Sequence, residues 1–185
     1  VWAVVGLGNP GLKYTSTRHN AGFLLVKSLA RKWGTKLRKR RHLSKLILAE
    51  PGPESVLLAT PQTFMNASGR AVVRLLENYH VKPENTVIVF DDFEIPLGDI
   101  RIRKEGGAGS HKGMASVIQE LDTTRIPRLR IGIGPLPEGA DPVEFVLSPF
   151  TPEERRLLDQ SLLRAREAVE MILEGNIHQA MNTFN

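Results

Sequence analysis

The sequence predicts an α/β fold: a single three-layer α/β/α domain over residues 1–185, built on a central mixed, largely parallel sheet. Three observations carry that expectation. Short apolar runs with strand character alternate along the chain with segments of helical periodicity. The length of 185 residues suits one domain with a sizeable core. No internal repeat, low-complexity tract or linker divides the chain.

The elements follow in order. Val1–Val5 reads as a buried strand, and a glycine-rich turn follows at Gly6, Gly8 and Gly11. A helix opens after Asn20, a residue type suited to an N-cap, and carries Phe23, Leu24, Val26, Leu29 and Ala30 to a stop at Gly34. Leu43–Ala49 and Ser55–Ala59 read as strands separated by the turn signal Pro51-Gly52-Pro53. Ser68–Tyr79 places Ala71, Val72, Leu75 and Leu76 at amphipathic spacing. Thr86–Phe90 is a buried strand that delivers Asp91 at its end, and Asp99–Lys104 and Arg128–Ile133 are further strands. Met114–Leu121 is helix-like. In the last helix Thr151 caps, Pro152 takes the first position and Glu154 completes a capping box, with the apolar spacing running on to Gly175.

Charge is unevenly placed. Residues 12–49 hold eleven Lys or Arg and no acid, within a chain of net charge +5, whereas residues 151–175 are rich in Glu. Such a one-sided basic field points to a polyanionic partner. With no cysteine there is neither a disulfide framework nor a thiolate metal site, which fits a reducing, cytoplasmic location. No apolar run approaches the roughly 18 residues of a membrane span, and no signal peptide is visible. The chain opens on Val1 rather than Met, so a few residues are expected to precede it. With no heptad or exposed apolar stripe, a monomer is the default.

The opening glycines match G-x-G-x-x-G, the dinucleotide fingerprint, but Pro10 removes a backbone donor and no acid occurs before Glu50 to hold a ribose. A nucleotide-dependent enzyme is therefore disfavoured. A polar cluster stands there instead: Asn9, Thr17, Arg18, His19 and Asn20. His19 is its only group titrating near neutral pH. Asp91, with no basic neighbour in sequence, follows a strand, so a His–Asp pair activating water is the economical chemistry. Asn66, within TFMNASG, is either a helix cap or an amide donor aimed at a polarised carbonyl. Gly106–Gly113 is a phosphate loop, a mobile gate or a plain turn. Neither G-x-S-x-G nor H-E-x-x-H occurs, which leaves cofactor-free hydrolysis.

Taken together, GLGNPG with Tyr14, TRHNAG, TFMNASG, FDDFEIPLGDIRIR, GGAGSHKG, PRLRIGIG, FVLSPF and AMNTFN resemble the bacterial-type peptidyl-tRNA hydrolase family over nearly the whole chain. Such enzymes cleave the ester joining a peptide to the 3′ end of tRNA, recycling tRNA from aborted translation. The resemblance implies that His19 is the general base and that Asp91 orients it. It implies that Asn9 and Asn66 hold the substrate, with Asn66 also at the oxyanion, and that Met65 and Tyr14 line or support the cleft. Arg103 and Arg130 would hold a terminal tRNA phosphate, with Arg101, Lys104 and Arg128 adding to that surface. No cofactor or metal is implied.

One position departs from the pattern. The family's loop usually reads Gly-His-Asn-Gly where this chain has Ser110-His111-Lys112-Gly113. Either the Lys112 ammonium takes over as a substrate donor and disfavours the imidazolium of His19, or it points to solvent and the loop works through its backbone. The rival function is a non-catalytic RNA-binding module on the same scaffold. Retention of Asn9, His19, Asn66 and Asp91 favours the enzyme.

Overall fold

The computed structural model describes residues 1–185. Seven strands form one sheet: β1 (Trp2–Gly6), β2 (Lys39–Arg41), β3 (Ser44–Ala49), β4 (Val56–Pro61), β5 (Thr86–Pro96), β6 (Ile100–Arg103) and β7 (Arg128–Gly134), in the order β2-β3-β4-β1-β5-β7-β6. The central four, β4-β1-β5-β7, are parallel, and β2, β3 and β6 add antiparallel edges. The expected mixed α/β architecture is thus observed.

The helices are α1 (Ala21–Lys32), α2 (Ser68–Tyr79), α3 (Lys112–Leu121), α4 (Pro142–Val146), α5 (Pro152–Leu173) and α6 (Ile177–Phe184). Strand alternation sends Val4, Leu58, Val87, Val89 and Leu129 to one face, where they are buried with Leu25 and Leu29 of α1, Leu158 and Val169 of α5, and Phe184 of α6. Val5, Leu57, Ile88 and Phe90 face the other way and pack with Val72 and Leu75 of α2 and Met114 and Val117 of α3. No helix is long and apolar enough to cross a membrane.

Three expectations need correction. β5 does not stop at Phe90 but continues to Pro96, with a register shift against β7 between Asp92 and Pro96. Its partner on the other side stops early, the last β1–β5 pair being Gly6 with Val89. Asp91 therefore lies inside a strand yet beyond the carboxyl end of its neighbour, where sites form in such sheets. Asn20 stands at the α1 N-cap position, but its side chain makes no cap bond. Finally, Lys39–Arg41 of the basic run is a short, fully exposed edge strand, where like charge deters pairing with another chain.

The glycines of the first loop set how closely α1 docks. A Cβ on Gly22 would lie 2.4 Å from the carbonyl oxygen of Val89 and 2.7 Å from the backbone of Leu7, while one on Gly6 would lie 2.2 Å from the oxygen of Gly22. Helix and sheet touch backbone to backbone here, three residues after His19. Gly22→Ala is expected to destabilise the fold by at least about 1–3 kcal/mol, because rigid backbone must move to admit the methyl. Denaturant unfolding measures this; an unchanged midpoint would refute the close docking.

Candidate active site

The site is built at the carboxyl end of β1. A 3₁₀ turn over Arg18–Asn20 leads into α1 and carries His19 over the part of β5 that β1 leaves uncovered. His19 Nδ1 donates to both carboxylate oxygens of Asp91, at 3.0 and 2.9 Å. Asp91 is 2% exposed, and Nε2 of His19 has no protein partner and belongs to the wall of a cleft of about 590 Å³. A buried carboxylate on Nδ1 fixes the tautomer with its lone pair on Nε2, the arrangement a general base needs.

Asp91 has a second imidazole that the sequence reading did not single out. His111 Nε2 lies 3.0 Å from Asp91 Oδ1, and its Nδ1 accepts the Met114 N–H at 3.1 Å, capping α3. Because Nδ1 accepts, the neutral ring carries its proton on Nε2 and donates it to Asp91. Protonating His111 would put two donors face to face at the cap. Burial alone would raise the Asp91 pKa. The charge interaction with His111 and His19, together with their hydrogen bonds, outweighs it and holds Asp91 down at about 2. His111 could have been sought from its place opening an apolar helix, but nothing local indicates a partner twenty residues earlier.

The amide groups are held as tightly. Asn20 accepts the Asn9 N–H through Oδ1 and donates from Nδ2 to the Asn9 carbonyl, each at 2.9 Å. This pair of hydrogen bonds to the Asn9 backbone is what occupies the expected cap. Asn9 Oδ1 in turn accepts the Met65 N–H at 2.8 Å, so Nδ2 is its free, donating end in the cleft. Asn66 is not a helix cap, since α2 starts at Ser68 with Ala67 at the cap position. It lines the same cleft, exposed and with no side-chain hydrogen bond. Met65 is buried beneath it. Tyr14 is not in the cleft wall; its carbonyl accepts from the backbone and hydroxyl of Thr17, on the approach to His19.

Arg18 secures the turn from the other side. Its Nη2 donates to both carboxylate oxygens of Glu154, each at 2.8 Å, its Nη1 donates to the Pro149 carbonyl at 2.7 Å, and the guanidinium stacks 4.5 Å from the Phe145 ring centroid. The capping box at Thr151 and Glu154 is present as expected, so one carboxylate serves both the α5 terminus and the His19 turn.

The arginines separate by environment. Arg101 and Arg103 of β6 pair directly with Arg130 and Arg128 of β7, so alternation puts all four on the face opposite Ile100, Ile102 and Leu129. Arg103 is exposed in the cleft wall, and Arg130 shares that wall while pairing with Asp92 at 3.0 Å. Arg101 stays outside the cleft, near Asp99. Arg128 also borders the cleft, but it is buried and donates to the carbonyls of Gly107, Thr124 and Ile126, anchoring the glycine loop. Lys112, the first residue of α3, is exposed at the cleft and makes no ion pair or side-chain hydrogen bond.

One further property of the cluster bears on its chemistry. A ligand atom from each of His19, Asp91 and His111 lies within 4.8 Å of the others, a donor set that a divalent cation could use. A metal there would replace the N–H to carboxylate bonds that orient His19.

Comparison with known proteins agrees with this geometry. A family model described as peptidyl-tRNA hydrolase matches residues 3–185. A peptidyl-tRNA hydrolase of Elusimicrobium minutum is 45% identical over 182 residues, covering 98% of this chain and 97% of the relative. Another, from Alkaliphilus metalliredigens, is 44% identical with both chains covered in full. The crystal structure of peptidyl-tRNA hydrolase from Acinetobacter baumannii matches with a TM-score of 0.93 at 33% identity, covering 100% of this chain and 96% of that one. The chain belongs to the peptidyl-tRNA hydrolase family.

Proposed function

We propose that residues 1–185 act as one catalytic domain that hydrolyses the ester between a peptide and the 3′ end of tRNA. The observation that carries this reading is the His19–Asp91 pair: one ring nitrogen is fixed on a buried carboxylate and the other is open to the cleft. His19 Nε2 takes a proton from water as the water oxygen attacks the ester carbonyl, and Asp91 stabilises the imidazolium that forms. The free amides of Asn9 and Asn66 donate to the substrate, with Asn66 facing the developing oxyanion. The imidazolium then returns its proton to the departing ribose oxygen, releasing peptide acid and tRNA. Phe64, Val143 and Leu147, exposed apolar residues of the cleft wall, give the peptide a surface to lie on.

Release of peptide from an N-blocked aminoacyl-tRNA tests the reading, with a strong chelator in one arm. Turnover that persists with chelator supports water activated by His19 alone. Turnover that collapses and returns on adding a divalent ion would assign the His19, Asp91 and His111 cluster to a metal. Tight tRNA binding without turnover would favour the RNA-binding rival.

On the phosphate side, Arg103 and Arg130 are proposed to grip a terminal tRNA phosphate through their planar forks, with Arg101 adding charge beside them. Replacing both Arg103 and Arg130 by Gln is expected to raise KM and to lower the salt slope of kcat/KM by about one, since both serve a single phosphate. A salt slope that does not move would remove both from the tRNA interface.

A further inference from the structure

A second concavity, of about 530 Å³, lies on the other side of Asn9 and is used by nothing described above. It is enclosed by the loop after β1, by Phe23 and Lys27 of α1, and by Arg40, Lys45 and Thr60 from β2, β3 and β4. Arg40 and Lys45 are directly paired across β2–β3, and Lys45 directly faces Thr60 across β3–β4. The three strands thus form a row beneath the helix that presents Lys27. Like charges directly opposed in a sheet are destabilising. Here no acid lines the concavity, and none of the three cations makes an ion pair within the chain. Partial burial and then the neighbouring charge of Lys45 lower the Lys27 pKa. Leu12, 94% exposed, stands in its wall as an apolar ledge beside the charges.

A basic, acid-free hollow joined to the active site calls for a phosphate group of a ligand that also reaches His19. Asn9 lines both cavities, so the hollow borders the active site at that residue. The arginine face of β6–β7 lies toward the opposite edge of the sheet, four strand spacings from Lys45 to Arg130 and six from Arg40 to Arg103. At about 4.8 Å per strand that is about 19 to 29 Å, too far for one phosphate to serve both. Resting on the proposed function, we propose that Lys27, Arg40 and Lys45 bind a backbone phosphodiester of the unpaired 3′ strand of the tRNA acceptor end. Leu12 supplies an apolar surface for an adjoining base.

The test replaces Lys27, Arg40 and Lys45 together by Gln in the full chain. Two substrates are compared: an N-blocked aminoacyl-tRNA, and the same N-blocked amino acid esterified to adenosine, which has no phosphate. The triple variant is expected to raise KM for the tRNA ester about tenfold and to lower its salt slope by about 0.7 per phosphate lost. KM for the adenosine ester is expected to stay put, and Tm to hold or rise as the repulsion is relieved. Unchanged KM and salt slope with tRNA would overturn the proposal. So would an equal loss on both esters, which would mean the cations act through the fold or the catalytic groups. Deacylated acceptor hairpins with and without the 3′ overhang separate this from the function itself. If the parent cleaves neither ester, the proposed function fails, while overhang-dependent binding that needs the three cations would still support this subsite. Binding indifferent to the overhang, or to the substitutions, would overturn it.

Discussion

Asp91→Asn is expected to lower kcat by up to about 10⁴-fold, no further than loss of His19 itself, while leaving affinity for deacylated tRNA unchanged. The size follows from the double use of this carboxylate. His111 Nδ1 accepts from the Met114 N–H, so its neutral ring has only Nε2–H to offer, and the amide oxygen of an asparagine must face it. The amide nitrogen then takes the place of Oδ2, 2.9 Å from His19 Nδ1. Two donors meet there, and the conflict is relieved when His19 moves its proton to Nε2, the nitrogen that must accept from water. Single-turnover rates measure the loss, and a fall below tenfold would show that the tautomer is set by something else. The same change has a signature in stability. The Asp91 pKa is about 2 in the fold against an ordinary 3.8. A carboxylate depressed in this way contributes stability above its unfolded pKa that is lost as pH falls toward the folded one. Acid unfolding of the parent between about pH 4 and pH 2 should therefore include a component that Asp91→Asn lacks.

The parts of the fold legible in the sequence were those whose burial is periodic. Ser68–Tyr79 is α2 as expected, and the Thr151, Pro152, Glu154 start of α5 is present in every detail. β2 was missed because all three of its residues are exposed cations, so it carries no alternating apolar signal and exists only as a partner to β3. α4 is too short to establish a period, being five residues held by the Asp141 cap and Pro142. α6, with Ala180 and Phe184 buried, was within reach of the same spacing argument and was read only as a motif. The end of β5 depended on β7 and β6 continuing the sheet past β1, which is a tertiary fact.

For the site, chemistry that follows from residue type could be read, and chemistry that follows from a partner could not. His19 in a loop and Asp91 after a strand are identifiable from residue type as a base and an acid. Asparagine before a helix reads as a cap, and the hold of Asn20 on Asn9 exists only where the two loops meet. Arg128 and Arg130 have the same alternation and the same chemistry. Both border the cleft, and what divides them is their partners: the carbonyls of Gly107 and Thr124 take the donors of the first, while the second pairs with Asp92.

His19→Ala should remove the base itself, with a loss of kcat of about 10²–10⁴-fold and no change in tRNA affinity. Its most informative use is in combination. Asp91 is argued to act through His19, so once His19 is gone the carboxylate has no ring to orient for the reaction. The double variant His19→Ala with Asp91→Asn should then be about as slow as His19→Ala alone, far from the product of the two separate losses. Alanine leaves Asp91 still paired with His111, so the single variant retains one satisfied partner at the buried carboxylate and should fold. Added imidazole gives a second readout, since a ring diffusing into the vacated space should restore part of the rate only where Asp91 is intact to orient it. If the double variant instead fell by the full product, Asp91 would have a role independent of His19. The remaining candidates would be a metal shared with His111 or direct contact with the substrate, and the chelator arm tells these apart.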